Sequence, residues 1–251
     1  MADSFQFADD VTTSAADVEI SVVTEKLQDA FSSLTRFCED SGLVINISKT
    51  QLIIFKSPTR KLPLDYSIQL GNTTLQPMQS VKLLGVHLDR HFTMATHIDK
   101  VVKKCHGLLG ALARATPFLS VKLLKMFYTA VIRCHLEYAS TVVAMASATQ
   151  LHKLDIIQKA AARVITGSPR LAHSEPLLVE LKLDTLAERR SRHLTDVVNS
   201  IVTRRCHPAL LNLLSVEPDG SISCSFSPRT TAGRKSFQNM AVAIYNHTDL
   251  S

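Results

Sequence analysis

The 251-residue chain contains no tryptophan. It has five cysteines and no Cys-x-x-Cys pair, so the two-pair spacing of a zinc module is excluded and a reducing compartment fits. Three of the cysteines precede histidine, as Cys105-His106, Cys134-His135 and Cys206-His207. Neighbours on a helix point about 100° apart, so such a dipeptide rarely gives two ligands to one ion. No apolar run reaches the roughly 20 residues of a membrane span. No basic-then-apolar leader opens the chain. A cytoplasmic or nuclear protein with no membrane association is the expectation. Internal repeats and low-complexity tracts are also missing. What is present is ample material for a core, with 45% apolar residues and a mean hydropathy of +0.10, which argues against disorder.

The net charge of +6 is unevenly spread. Residues 1–50 hold nine Asp/Glu against three Lys/Arg, and residues 51–251 hold 25 Lys/Arg against 13 Asp/Glu. An acidic head able to hold cations, joined to a basic body, suits a protein that handles phosphate backbones.

Along the chain, Phe5-Gln6-Phe7 and Val11-Thr12-Thr13 have strand composition and flank Ala8-Asp9-Asp10, which reads as a hairpin tip. Ser14 with Asp17 resembles a capping box. Val18, Val22, Val23, Leu27, Phe31, Leu34 and Phe37 then recur at helical spacing, and Gly42 stops that helix. Leu52 to Phe55 reads as a buried strand. Residues 67–70 and 73–75 flank Gly71-Asn72, a two-residue hairpin signal. Val81 to Leu88 reads as one further strand.

From about residue 94 the pattern is helical. Ile98, Val101, Val102, Cys105, Leu108, Leu109 and Leu112 form one stripe, ended near Pro117. A second helix follows Ser120, a third runs from about Gln150 to Ile165 with Gly167 after it, and two more are expected around 175–182 and 185–205. Residues 215–234 are rich in Ser, Pro and Gly and read as a loop; a last helix is expected from about Ser236 to Asn246.

Adjacent aspartates on a regular strand point to opposite faces. Two of them converge on a metal only where the backbone turns. A strand–Asp-Asp–strand hairpin with a small residue before it meets that condition, and paired hard oxygen donors are what Mg²⁺ requires.

Phe7-Ala8-Asp9-Asp10 gains specificity from three downstream segments. These are Phe37-Cys38, then Ser41-Gly42-Leu43-Val44-Ile45-Asn46 with Lys49-Thr50, then Leu84-Gly85-Val86. In this order they resemble the rear half of the reverse-transcriptase palm of non-LTR (LINE-type) retrotransposons. Phe127-Tyr128 through Leu136-Glu137-Tyr138-Ala139-Ser140 resembles that family's thumb. So does the run from Leu154-Asp155-Ile156 to Thr166-Gly167. The resemblance implies an α+β fold: a partial palm over residues 1–88 (hairpin, helix, strands), a mostly α-helical thumb over 93–170, and a helical C-terminal region over 171–251. It implies RNA-directed DNA polymerisation as the activity class. Asp9 and Asp10 would be the catalytic Mg²⁺ ligands, Lys49 would reach the nucleotide phosphates, and Leu84 and Gly85 would lie near the primer end. Lys100, Lys103, Lys104 and Arg114 would track the backbone of an RNA template and DNA primer. A second basic group, Arg189, Arg190, Arg192, Arg204 and Arg205, also suits nucleic acid.

The sequence departs from the family pattern in places. The polymerase fold takes a further metal-binding Asp from a strand well before the Asp-Asp hairpin, yet only eight residues precede Asp9. Phe37, Met94, Val143 and Tyr245 stand where comparable elements commonly carry tryptophan. Endonuclease and zinc-knuckle motifs are absent. The expectation is therefore an N-terminally truncated polymerase, inactive alone, whose palm sheet has an open edge. The alternative is a non-catalytic nucleic-acid- or partner-binding remnant of a transposable element.

Overall fold

The computed structural model describes residues 2–57, 63, 66–71, 73–204, 208–219, 221–224, 231–234 and 236–248. Asn72, Arg205 and the Cys206-His207 dipeptide lie outside them. The chain divides into two units, residues 1–81 with 89–91, and residues 82–88 with 92–251. The fold is α+β, with antiparallel two-stranded sheets and many helices.

In the first unit, β1 (Asp3–Phe7) pairs with β2 (Asp10–Ser14), in register from Asp3↔Ser14 to Phe7↔Asp10. Helix α1 (Ile20–Asp40) follows. The capping-box expectation at Ser14 fails, because Ser14 closes β2. Glu19 is the N-cap and offers no side-chain cap; just before it Asp17 closes a turn, its Oδ1 accepting from the Val18 and Glu19 amides at 2.7 and 3.3 Å while Lys26 pairs with its other oxygen at 2.8 Å. Gly42 does end the helix. Its φ of +68° admits a Schellman closure, in which Leu43 N donates to Cys38 O at 2.7 Å and Gly42 N to Glu39 O at 3.1 Å. A single 3₁₀ turn, Ile47–Lys49, comes next.

Leu52 to Phe55 is not a strand. Leu52 forms one parallel bridge to Pro77, with Met78 N donating to Leu52 O at 2.8 Å, and no neighbouring strand among the described residues extends the ladder. The hairpin of β3 (Ile68–Leu70) and β4 (Thr73–Leu75) is present. Polar bonds join it to α1, since Thr24 Oγ1 lies 2.7 Å from the Tyr66 hydroxyl and Gln28 Nε2 donates to Gln69 O at 3.1 Å. Among the described residues of this unit, Ile68 is the only fully buried apolar side chain, and α1 buries none. Phe5, Phe7, Val18, Phe37 and Val44 stay exposed. Two-stranded sheets without a covered apolar face are marginal in water.

Val81 to Leu88 is not one strand either. It divides into β5 (Ser80–Leu83) and β6 (Val86–Asp89), which form a hairpin around Leu84-Gly85. Both central residues have positive φ, +45° and +85°, which matches a I′ turn.

The second unit holds the main core. Helix α2 (Ala95–Ala115) buries Ile98, Cys105, Leu109 and Leu112 of the expected stripe and half-buries Val101, Val102 and Leu108, and it also buries His97, which the stripe does not include. Next come α3 (Val121–Phe127), a π-helical turn (Tyr128–Ile132) and α4 (Arg133–Glu137), which run on as one path. After α5 (Ser140–Val143), helix α6 (Ala148–Thr166) starts at Ser147, whose hydroxyl accepts from Gln150 N, and ends at Gly167 with φ +69°. Helix α6 packs along α2 and buries Leu154, Ile157, Ala161 and Ile165. Each large apolar side chain so buried contributes roughly 1.5–3 kcal/mol. Helices α7 (Ser174–Glu180) and α8 (Leu186–Arg204) follow, with Leu178, Leu181, Leu183 and Leu186 completing this core.

Beyond Leu186 a smaller cluster forms. Leu194, Val198 and Ile201 of α8 meet Leu214, Ile222 and Ala241, the last on the terminal helix (Phe237–Thr248). Between them lie a short helix (Pro208–Leu211), a small hairpin (Ser215–Val216 with Ile222–Ser223) and one helical turn (Thr231–Arg234). No helix among the described residues is long and apolar enough to cross a membrane.

Candidate functional site

Asp9 and Asp10 sit at the tip of the β1–β2 hairpin. Phe7 pairs with Asp10, leaving Ala8-Asp9 as a two-residue loop. Ala8 has φ +54°, the left-handed region that such tight hairpin turns demand, and its carbonyl accepts from Gln6 Nε2 at 3.0 Å. Both carboxylates are exposed. They offer two hard oxygen donors, and among the described residues no third acidic side chain joins them. Asp3 lies at the far end of β1, about 13 Å away for four residues at about 3.3 Å each. Among the described residues no group of three or more His, Cys, Asp or Glu forms a metal-binding cluster. A two-ion site needs more ligands than this tip supplies, so these residues alone do not fit a catalytic Mg²⁺ pair.

Lys49 is exposed on the 3₁₀ turn, reached from the hairpin only through the 21 residues of α1. The fold does not pair it with either aspartate.

Leu84 and Gly85 form the strained tip of the β5–β6 hairpin, and this tip belongs to the helical unit. The Tyr138 hydroxyl donates to the Leu84 carbonyl from 54 residues downstream. A Cβ on Gly85 would lie 3.0 Å from that hydroxyl oxygen and 3.2 Å from Cε1 of the ring. Further along β6, His87 N donates to Nδ1 of His97 at 3.5 Å. Burial, then the neighbouring His87, lowers the pKa of His97 and favours its neutral ring, which can accept at one nitrogen. The pKa of His87 is lowered too, by burial first and then by Lys100 and Lys82.

Lys100, Lys103, Lys104 and Arg114 are exposed on α2. At about 100° per residue they fall in one stripe about 100° wide and about 21 Å long. Lys100 is partly engaged, with its Nζ 3.2 Å from His87 Nδ1 and 3.3 Å from Nε2.

In the second basic stretch Arg189, Arg190 and Arg192 meet acidic partners, Arg204 is exposed, and Arg205 lies outside the described residues. Arg189 grips Glu137 with two bonds, Nε to Oε1 and Nη2 to Oε2, the second at 3.0 Å. Arg190 is buried and reaches Asp155 at 3.4 Å, and Arg192 pairs with Asp184 at 2.9 Å. Helical spacing places these arginines on one helix, but it does not say which of them face acidic partners from distant segments. Glu137, Tyr138, His97 and His193 carry no individual role in the sequence reading. Only the Leu136–Ser140 wording marks the neighbourhood of the first two.

No protein-family profile matches the chain, and no solved structure matches it. Curated relatives do. A probable RNA-directed DNA polymerase from transposon BS of Drosophila melanogaster is 24% identical over 212 residues, 81% of this chain and 23% of the relative. The RNA-directed DNA polymerase from mobile element jockey of Drosophila funebris is 24% identical over 190 residues, 73% of this chain and 20% of the relative. Its namesake from Drosophila melanogaster is 23% identical over 233 residues, 91% of this chain and 24% of the relative. The chain thus spans a quarter or less of the length of these relatives. Over most of its own length, this chain is related to RNA-directed DNA polymerases of mobile elements.

Proposed function

We propose that the chain is a palm-and-thumb portion of the reverse transcriptase of a non-LTR retrotransposon, and that alone it binds an RNA–DNA primer–template without extending it. The observation that carries the reading is an Asp9-Asp10 hairpin tip at the head of a chain related along most of its length to such polymerases. In a complete enzyme Asp9 and Asp10 would hold metal, Lys49 would meet the nucleotide phosphates, and Leu84 and Gly85 would lie near the primer end. Residues 1–88 would be the partial palm, 93–170 the thumb, and 171–251 a helical C-terminal region. The basic stripe of α2 would follow the nucleic-acid backbone in the cytoplasm or nucleus.

The lack of a third carboxylate at the tip, among the described residues, supports the inactivity, because two exposed aspartates leave a pair of ions without a bridging ligand. It also favours the second reading, a purely binding role in which the α2 stripe does the work.

The test is binding of a fluorescent DNA primer annealed to an RNA template across a salt series, with primer extension in Mg²⁺ or Mn²⁺ alongside. Replacing Lys100, Lys103 and Lys104 together by Gln should flatten the slope of log K against log salt by about 2–3. Asp9→Ala with Asp10→Ala should leave binding intact. Template-dependent extension by the unaltered chain would refute the inactivity, and a salt slope unchanged by the triple variant would refute the assigned surface.

A further inference from the structure

We infer that Tyr138 is the positioning residue of the Leu84-Gly85 turn, and that helix α8 fixes Tyr138, so the region after the thumb sets the conformation of that turn. The inference rests on the proposed reading only for what the turn touches; the positioning itself stands on geometry within the helical unit.

The turn is strained. Leucine disfavours positive φ, yet Leu84 has φ +45° and stays exposed. The I′ turn asks for positive φ at 84, but leucine lacks the side-chain oxygen with which Asn or Asp eases it, so a contact from outside the hairpin stabilises the strained residue. Tyr138 does so in two ways. Its hydroxyl donates to the carbonyl of the strained residue. Its ring lies so close that a Cβ at 85 would meet ring carbons at 3.2 and 3.3 Å, tighter than an ordinary contact.

Tyr138 reaches the turn because the helical path breaks there. It leaves α4 with ψ 129°, and Ala139 follows with φ +52°. Both flanks of this break are held from α8. Arg189 grips Glu137 on one side, and His193 Nδ1 lies 3.0 Å from the Ser140 hydroxyl on the other. Arg189 and His193 are four residues apart and so share one face of α8. Two contacts from one helix face thus bracket Tyr138-Ala139 and hold the phenol against the turn. A bulky apolar tip held in this way is preorganised to meet a ligand rather than to pack inward.

The experiment is amide hydrogen exchange and Leu84 methyl chemical shift in the full chain, for the unaltered protein and Tyr138→Phe. The phenylalanine keeps the ring and removes the hydroxyl. Exchange at Gly85, Val86 and His87 should quicken about tenfold, while the α6 amides of Ile157 and Ala161 move less than about twofold. Ser140→Ala and Arg189→Lys should shift the same turn signals in the same direction, and Arg192→Gln should not. Turn signals unmoved in Tyr138→Phe, or moved only together with those of α6, would overturn the inference.

A second arm separates it from the primer reading, using a DNA primer ending in 4-thiothymidine annealed to an RNA template. If irradiation links the primer to residues 84–86 of the unaltered chain and not of Tyr138→Phe at equal affinity, both readings stand. If the unaltered chain does not crosslink while turn exchange still depends on Tyr138, the primer reading falls and the positioning stands.

Discussion

Gly85→Ala is the sharpest test of the contact between the hairpin tip and Tyr138. At φ +85° any Cβ is unfavourable, by roughly 1–2 kcal/mol. Here it also meets the Tyr138 hydroxyl oxygen at 3.0 Å and ring carbons at 3.2 and 3.3 Å. Tyr138 is half exposed and can swing aside. The further cost is then its hydrogen bond to Leu84, about 1 kcal/mol. The total is about 2–3 kcal/mol. For a unit of this size that is about 4–12 °C in Tm. Gly167→Ala is the control: φ is +69°, and nothing lies within 4 Å of the added carbon, so only the backbone term applies. The decisive measurement is a double-mutant cycle by urea unfolding, with Gly85→Ala made in the unaltered chain and in Tyr138→Ala. On the alanine background the cost should fall to that of Gly167→Ala, a coupling of about 1 kcal/mol. A coupling below about 0.3 kcal/mol would mean that Tyr138 does not constrain the turn.

Other perturbations probe the rest of the molecule. Gly107 lies inside α2 with open space around the site of a Cβ, so Gly107→Ala should raise stability by roughly 0.5–1 kcal/mol in thermal unfolding. Glu137→Gln removes the carboxylate that Arg189 grips and Arg133 meets at 3.8 Å, leaving Arg189 only the Asp184 contact at 4.0 Å, and should cost about 2 kcal/mol in the same assay. His97 has a lowered pKa in the folded chain, so folding favours its neutral form. Its contribution is complete above the ordinary histidine pKa of about 6.5 and is lost as pH falls through the depressed folded value. Urea midpoints should therefore hold level from about pH 8 to 7 and decline on further acidification, and His97→Asn should flatten that decline between about pH 7 and 5.

The amino-acid sequence by itself determined the elements whose signals are local. The 3.6-residue stripe of α2 is buried as read, because one apolar face suffices to define which side turns inward. Gly42 and Gly167 end their helices since only glycine takes positive φ there without strain. The β1–β2 and β3–β4 hairpins follow from their turn residues. Where a partner far along the chain decides, sequence patterning fell short. Leu52 to Phe55 has strand composition, but a ladder needs a neighbour, and only one bridge forms among the described residues. The break at Leu84-Gly85 carries a leucine at positive φ, which no propensity predicts, because the compensating hydroxyl comes from 54 residues away. Arg189 and Arg190 share a basic stretch with Arg192, yet the packing of α8 turned the first two toward Glu137 and Asp155. Local backbone preference and periodicity are written residue by residue. Which charges meet, and which strained turn is held, depend on distances that exist only once the helices have packed.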